Sequence, residues 1–251
     1  MRRTMYVASW KANMGTIENA QTFFKELPQY AVAFQNEIIL CPSFIFMEMA
    51  KEKMPHTVTF GAQDCSQFSN GPHTAEITAS MLANFGVKYC IVGHMERRAM
   101  GDTDVIVNKK IKQCLGSGIT PIITIGENIH EYNNNMSRVI IEHQIKESLQ
   151  GVKQYDKLVY CYQPAWSIGT GHFASAEYAN LIIDFMRKTI QKVSGQPLAG
   201  NVPILYGGGV TQTNLKDYLE QPEVDGVMFG INTTNAKALN DMVSVRFTPK
   251  G

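Results

Sequence analysis

The chain contains the loop sequence Tyr162-Gln163-Pro164-Ala165-Trp166-Ser167-Ile168-Gly169-Thr170-Gly171, which joins a predicted strand to a predicted helix. The apolar run at its start, Leu158 to Gln163, is typical of a buried strand because β-branched and aromatic residues dominate it. The segment that follows, Ser175 to Val193, has apolar residues at helical spacing. Strand, loop and helix together predict one β-α unit, the repeat from which parallel sheets are built.

The same alternation of short apolar runs and longer helical segments extends along the whole chain. Eight strands are predicted: Met5 to Ser9, Glu37 to Cys41, Thr57 to Ala62, Lys88 to Val92, Thr120 to Ile125, Leu158 to Gln163, Val202 to Tyr206 and Val224 to Phe229. Seven helices are predicted: Thr16 to Phe34, Phe44 to Lys53, Thr103 to Leu115, Ser137 to Gln150, Ser175 to Val193, Gln212 to Leu219 and Thr234 to Val245. The third unit is predicted to have a long loop in place of a helix.

Eight β-α units predict an α/β fold, a closed (β/α)8 barrel formed as a single domain by residues 1–251. With 44% apolar residues, the chain can bury a large core. Barrels of this class place functional residues after the carboxyl ends of their strands. The functional site is therefore expected in the loops that follow the eight apolar runs.

Composition excludes several classes of partner. The formal net charge is +1, with no long run of one sign, which argues against binding to nucleic acid or a membrane surface. No apolar run approaches the roughly 20 residues of a transmembrane helix. The start, Met1-Arg2-Arg3-Thr4-Met5, lacks the hydrophobic core of a signal peptide, so a cytoplasmic protein is expected.

The five cysteines are odd in number, scattered, and mostly set in apolar runs. They are Cys41, Cys65, Cys90, Cys114 and Cys161. Because no pair has Cys-x-x-Cys spacing, they are predicted to be buried free thiols rather than disulfides or metal ligands. No metal and no cofactor is expected.

Four further motifs occur in order along the chain. They are Ser9-Trp10-Lys11-Ala12-Asn13, Gly93-His94-Met95-Glu96-Arg97-Arg98, Tyr206-Gly207-Gly208-Gly209-Val210 and Asp225-Gly226-Val227-Met228-Phe229-Gly230-Ile231. Together with the loop at 162–171, they resemble the active-site motifs of the triosephosphate isomerase family over essentially the whole chain. The resemblance implies a barrel that binds a small phosphorylated sugar. It also implies the family reaction, which interconverts glyceraldehyde 3-phosphate and dihydroxyacetone phosphate in glycolysis.

The resemblance assigns catalytic roles to three positions. Lys11 is expected to direct its ammonium at the substrate oxygens, and His94 to polarise the carbonyl as a neutral imidazole at a helix N-terminus. The family's general base, a glutamate, is replaced here by Gln163. A carboxamide has no useful basicity in water, so the chain loses a catalyst worth about 10² to 10⁴ in rate.

The resemblance also implies a phosphate site made of backbone N–H groups. Gly169 in a mobile lid, Gly209 in the seventh loop, and the turn at Gly230 and Ile231 would supply them, with a short helix behind the turn adding its positive end. Ile231 replaces a family glycine. Because its β-branched side chain resists positive φ and takes up space, weakened or altered phosphate binding is expected.

Other positions depart from the family pattern as well. Ser9 replaces an asparagine and Met95 a serine. Because several site positions depart together, natural divergence is favoured over one introduced change at Gln163. Of the nearby acids, Glu96 is expected to pair with a basic residue and Glu127 to be structural. Either could replace the base only after rearrangement.

Three functions are consistent with the sequence. The first is a sugar-phosphate-binding barrel in which isomerisation is strongly impaired or altered, a possible pseudoenzyme. The second is an aldose-ketose isomerase that is still active on triose phosphate or a related small sugar phosphate through another base. The third is a structural paralogue that binds nothing specific. Retention of Lys11, His94 and the glycine-containing lid argues against the third.

Residues 63–81 form a loop too long for a plain connection, and they include Asn70-Gly71-Pro72-His73-Thr74-Ala75-Glu76. This segment resembles the family's third loop, which docks into a neighbouring subunit. The resemblance implies a two-fold homodimer in which Thr74 approaches the partner's site near Ser9 and Lys11. The alternative is a loop that packs on its own subunit.

Overall fold

The computed structural model describes residues 4–31 and 36–248, apart from the side chains of Leu198 and Ala199. Eight parallel strands form a closed barrel in chain order, so the predicted (β/α)8 fold is confirmed. The strands are β1 Met5–Ser9, β2 Glu37–Cys41, β3 Val58–Ala62, β4 Tyr89–Val92, β5 Thr120–Ile125, β6 Val159–Tyr162, β7 Ile204–Tyr206 and β8 Gly226–Phe229. Because β1 pairs with both β2 and β8, the barrel has no free sheet edge.

Ten α-helices follow or flank the strands within the described residues. They are α1 Ile17–Ala31, α2 Met47–Lys53, α3 Ala79–Phe85, α4 Met95–Ala99, α5 Asp104–Gly116, α6 Ile129–Asn133, α7 Ser137–Leu149, α8 Ala176–Ser194, α9 Leu215–Leu219 and α10 Ala236–Val243. Short 3-10 turns occupy Phe44–Phe46, Tyr155–Lys157, Ala165–Ser167 and Pro197–Asn201. No helix of the described residues is long and apolar enough to cross a membrane.

The predicted strand boundaries agree with the structure to within two residues. The prediction that the third unit lacks a helix was wrong. Helix α3 starts where the Thr78 hydroxyl accepts a hydrogen bond from the Met81 N–H (3.3 Å), and it ends at Gly86, whose φ is 100°. With only Ala79 and Leu82 buried, α3 has little apolar pattern to detect. The predicted end of the first helix, residues 32–34, lies outside the described residues.

The core consists of two layers, because successive side chains of each strand point to opposite faces. The interior of the barrel is filled by Met5, Val7, Ile39, Cys41, Ile91, Ile122, Val159, Cys161, Leu205 and Met228. The alternate residues, such as Tyr6 and Ala8 of β1, pack outward against the helices. All five cysteines are buried and free, as predicted. This packed barrel fixes the strand ends and so positions the loops that carry the predicted motifs.

Candidate active site

A cavity of about 540 Å³ lies at the carboxyl ends of the strands. It is lined by every predicted catalytic and phosphate-binding residue: Ser9, Lys11, His94, Glu96, Gln163, Gly169, Gly209, Gly230 and Ile231. These residues follow β1, β4, β6, β7 and β8, so barrel closure alone brings them together. The remaining predicted residue, Thr74, lies in the long loop after β3 and does not line this cavity.

His94 is the residue before helix α4, and its Nδ1 accepts a hydrogen bond from the Glu96 N–H at 3.1 Å. The side chain is buried. Burial lowers the pKa of His94 to about 4, and the nearby Lys11 ammonium adds to this, while the Glu96 carboxylate opposes it. The imidazole is therefore neutral at pH 7, and burial, rather than the helix N-terminus, is the main cause.

Gln163 follows β6 and is 3% exposed. Its Oε1 accepts a hydrogen bond from the Met95 N–H at 3.0 Å, and its Nε2 lies 3.0 Å from Nε2 of His94. The same nitrogen lies 3.4 Å from the Gly207 carbonyl oxygen, to which it donates. The carboxamide is thus held directly against the imidazole. The contact with the Met95 N–H was not predicted, because a backbone group leaves no signature in the sequence.

One hydrogen-bond acceptor is missing from the row of three contacts that links Met95, Gln163, His94 and Glu96. The two backbone N–H groups at the ends can only donate, and a carboxamide and a neutral imidazole each supply one acceptor to this row. Three contacts therefore share two acceptors. In every combination of His94 tautomer and amide orientation, at least one pair of donors faces each other. A carboxylate at position 163 has two acceptor oxygens and would satisfy all three contacts.

Lys11 lies just after β1 with φ at 49°, an uncommon conformation for a residue other than glycine. Its carbonyl oxygen accepts hydrogen bonds from Ser43 Oγ (2.8 Å) and Gln63 Nε2 (3.0 Å), and its N–H donates to Ser9 Oγ (3.3 Å). These bonds fix the backbone and direct the side chain into the cavity. There Nζ lies 2.6 Å from Glu96 Oε1, so Glu96 pairs with a basic residue as expected.

Glu127 is fully buried and lies outside the residues that line the cavity. Its Oε1 accepts hydrogen bonds from the Tyr162 hydroxyl and the Trp166 indole N–H, both at 3.0 Å. The carboxylate therefore ties the end of β6 to the start of the lid. This position supports the structural role that the sequence suggested for Glu127.

The glycines of the seventh and eighth loops are required by close packing. A Cβ at Gly208 would collide with the Tyr206 hydroxyl and lie 2.7 Å from Ser167 Oγ, and one at Gly230 would lie 2.9 Å from Cε of Lys11. The absence of side chains lets the backbone approach the cavity. Within residues 4–31 and 36–248, the N–H groups of Gly169, Gly209 and Ile231 donate to no other group.

The last loop avoids the strain that positive φ would impose on a β-branched residue. Positive φ falls on Asn232 (59°) and not on Ile231. Asparagine tolerates the left-handed region better than β-branched residues do, so Ile231 is not strained. The helix behind this turn is α10, which begins at Ala236 after the non-helical residues 231–235. The Ile231 side chain is 54% exposed at the cavity.

Comparison with known proteins is consistent with this geometry. The profile of the triosephosphate isomerase family matches residues 4–246. The triosephosphate isomerase of Thermus thermophilus is 38% identical over 234 residues, which cover 92% of this chain and 93% of that protein. The triosephosphate isomerases of Dictyoglomus turgidum and Shewanella halifaxensis are 33% and 36% identical, each over 248 residues. The Dictyoglomus match covers 97% of this chain and 99% of that protein, and the Shewanella match covers 94% of each.

Proposed function

The chain belongs to the triosephosphate isomerase family, and we propose that it binds a small sugar phosphate but isomerises triose phosphate slowly or not at all. The observation that carries this proposal is the position of the Gln163 carboxamide. The resemblance of its loop assigns it to the position of the family's base, and it lies buried against His94 and the Met95 N–H. A neutral amide in this place removes the group that takes the proton from carbon.

Three features support sugar-phosphate binding. The backbone N–H groups of Gly169, Gly209 and Ile231 line one cavity and are available to phosphate oxygens. The Lys11 ammonium lies in the same cavity and offsets the charge of a dianion. His94 is neutral and can donate to a carbonyl or hydroxyl oxygen once Gln163 yields its place. The cavity, about 540 Å³, is larger than a three-carbon phosphate needs, so related small sugar phosphates are included in the proposal.

Two glutamates could replace the missing base in an active isomerase. Glu127 is excluded from this role by its burial and its hydrogen bonds to Tyr162 and Trp166. Glu96 lines the cavity, but its carboxylate pairs with Lys11 at 2.6 Å and is half exposed. Glu96 is therefore the residue to change if isomerase activity is found.

The first experiment compares glyceraldehyde 3-phosphate isomerisation by the purified protein and its Gln163→Glu variant at neutral pH. The variant is expected to be faster by about 10² to 10⁴, the range of general-base catalysis. A fully active parent would contradict the proposal, and Glu96→Gln in that background would then test the other base. If both proteins are silent, the departures at Ser9, Met95 and Ile231 become the cause to examine.

Binding is measured separately, with glycerol 3-phosphate as an unreactive probe and Trp166 fluorescence as the signal. Trp166 packs on Tyr132 at 4.5 Å between ring centroids and starts the lid, whereas the other tryptophan, Trp10, is fully buried in the core. Saturation at or below millimolar concentration is expected. If the fluorescence does not saturate, the chain is a structural paralogue that binds no sugar phosphate, and the proposal is wrong.

A homodimer is part of this proposal. The loop after β3 is braced by Asn70, whose Oδ1 accepts hydrogen bonds from Thr78 Oγ1 (2.7 Å) and Ser80 Oγ (2.8 Å). This bracing leaves Thr74 exposed. Apolar side chains near the same end of the barrel are also exposed, including Ile45 at 83% and Met100 at 78%. A second copy of the chain would cover them.

Sedimentation of the purified protein tests the dimer. A mass of two chains is expected, and Thr74→Arg should shift it to one chain by placing a bulky charge in the contact. Asn235→Arg, at the start of α10, serves as a control that should remain dimeric. A monomer at all concentrations would contradict this part of the proposal without affecting sugar-phosphate binding.

A further inference from the structure

Three cysteines from separate parts of the chain meet in the interior. Cys65 follows β3, Cys90 lies in β4 and Cys114 lies in α5, and all three are buried. Their Sγ atoms all lie within 4.8 Å of one another, and those of Cys65 and Cys114 are 3.5 Å apart. Their scattered positions in the sequence predict no metal site, but the barrel places the three thiols in one cluster.

The spacing of these sulfur atoms matches that of three thiolates around one metal ion. Metal-sulfur bonds are about 2.3 Å, so three sulfurs in a plane around an ion are about 4.0 Å apart. The separation of Cys65 and Cys114, 3.5 Å, is within about 0.5 Å of this value, and no separation exceeds it by more than about 0.8 Å, since all three sulfurs lie within 4.8 Å of one another.

We propose that Cys65, Cys90 and Cys114 form a three-coordinate site for a soft monovalent cation, Cu(I). Thiolates are the ligands that soft ions such as Cu(I) prefer, whereas Zn²⁺ in structural sites requires a fourth ligand. Within the described residues, no histidine, aspartate or glutamate joins the three sulfurs at ligand distance. As the ion binds, the three thiols lose their protons to solvent and three Cu–S bonds form, with no change in oxidation state.

A buried cation lies beside the cluster. The ammonium of Lys110 lies 2.8 Å from both carboxylate oxygens of Asp64, the neighbour of Cys65, and 2.6 Å from Asp102 Oδ2. Metals bind thiolates rather than thiols, so this cation would offset part of the negative charge that the three sulfurs carry around a bound ion.

The cluster also has an entry path. Cys65, Asp64 and Lys110 line a groove of about 630 Å³ that also reaches Lys11, His94 and Glu96 at the carboxyl ends of the strands. Cys90 and Cys114 lie behind Cys65 and do not line the groove. Met100 also lines this groove, so the proposed dimer would cover part of it. An ion that arrives through the groove meets Cys65 first and then completes its coordination with the two inner sulfurs.

The experiment titrates the reduced protein with Cu(I) under anaerobic conditions, against a chromogenic Cu(I) chelator. One equivalent per chain is expected to bind, and X-ray absorption of that complex should show three sulfur neighbours at about 2.3 Å. Zn²⁺, titrated in the same way, should bind more weakly because it lacks a fourth ligand. The X-ray absorption measurement uses the unaltered protein, so it does not depend on whether variants fold.

Single variants identify the ligands. Cys65→Ala, Cys90→Ala and Cys114→Ala should each weaken Cu(I) binding by roughly 100-fold or more, because loss of one ligand costs at least as much as loss of a supporting contact. Cys41→Ala is the matched control, since Cys41 is also a buried free thiol but lies outside the cluster. Two sulfur neighbours, no stoichiometric binding, or equal losses in Cys41→Ala would overturn the proposal.

Discussion

The side-chain nitrogen of Gln163 lies 3.0 Å from Nε2 of His94, two residues that are 69 positions apart in the chain. This contact places a neutral amide on the imidazole nitrogen that could otherwise donate to a ligand oxygen. With the Met95 N–H on the other side of the amide, the site has more donors than acceptors. The surroundings of residue 163 thus remain better matched to a carboxylate than to the amide present.

The first prediction concerns the tautomer of His94. Neither tautomer satisfies every contact in the unaltered protein, so both are expected to be populated. In Gln163→Glu, the carboxylate accepts from both the Met95 N–H and the imidazole, and Nε2 alone should carry the proton. Nitrogen-15 NMR at pH 8 distinguishes these states. The exposed His130 should not change between the two proteins, and a single Nε2–H tautomer already present in the parent would contradict the argument.

The second prediction concerns stability against pH. His94 is neutral in both folded and unfolded protein at pH 7. As pH falls below about 6.5 the unfolded chain binds a proton, whereas the folded chain does not until pH 4. Relative to pH 7, the contribution of His94 to the free energy of unfolding should therefore fall by about 2 kcal/mol at pH 5. Well below pH 4, where both states bind the proton, the loss should reach about 3 kcal/mol. His94→Gln removes this contribution.

Urea denaturation of the parent and His94→Gln at pH 7, 6 and 5 measures the effect. The difference in unfolding free energy between the two proteins should change in favour of the variant as the pH falls. His130→Gln, a change on the surface, should follow the parent. A difference that is independent of pH would show that the folded state does not hold His94 neutral.

The third prediction concerns Glu127, whose carboxylate accepts from Tyr162 and Trp166. Glu127→Ala leaves both buried donors without an acceptor, and we expect a loss of about 3 kcal/mol in unfolding free energy. Glu127→Gln keeps one acceptor oxygen at the same position, so its loss should be smaller. Chemical denaturation followed by circular dichroism compares the two variants. Equal losses would mean that the hydrogen bonds are not what stabilises this corner of the lid.

The fourth prediction concerns the seventh loop. Gly208→Ala places a methyl group against the Tyr206 hydroxyl and Ser167, so the loop must move. We expect a loss of about 1 to 3 kcal/mol in stability from overpacking. Glycerol 3-phosphate binding should also weaken, because Gly209 moves with its neighbour. Gly15→Ala, which has open space around it, is the control. If Gly208→Ala binds the probe as tightly as the parent, the N–H of Gly209 is not a phosphate donor.

Much of the fold could be predicted from local pattern. The short apolar runs predicted the eight strands, because a parallel strand buried on both faces is apolar along its whole length. Helix α3 was missed because only two of its side chains are buried. The site residues were predicted as a set from the resemblance of their motifs to the family, and the topology brings them together because it places all strand ends at one rim. The sequence did not show that Asn232, rather than Ile231, takes positive φ in the last loop.

The sequence by itself determined the chemical groups of this protein, above all that residue 163 carries an amide and not a base. It also determined the barrel, because periodicity is a local property of the chain. Only the tertiary structure decided how those groups act on one another. The low pKa of His94, the missing acceptor between Met95 and Glu96, and the cluster of Cys65, Cys90 and Cys114 depend on burial and on distances of a few ångströms between distant residues. Such distances exist only once the barrel has closed.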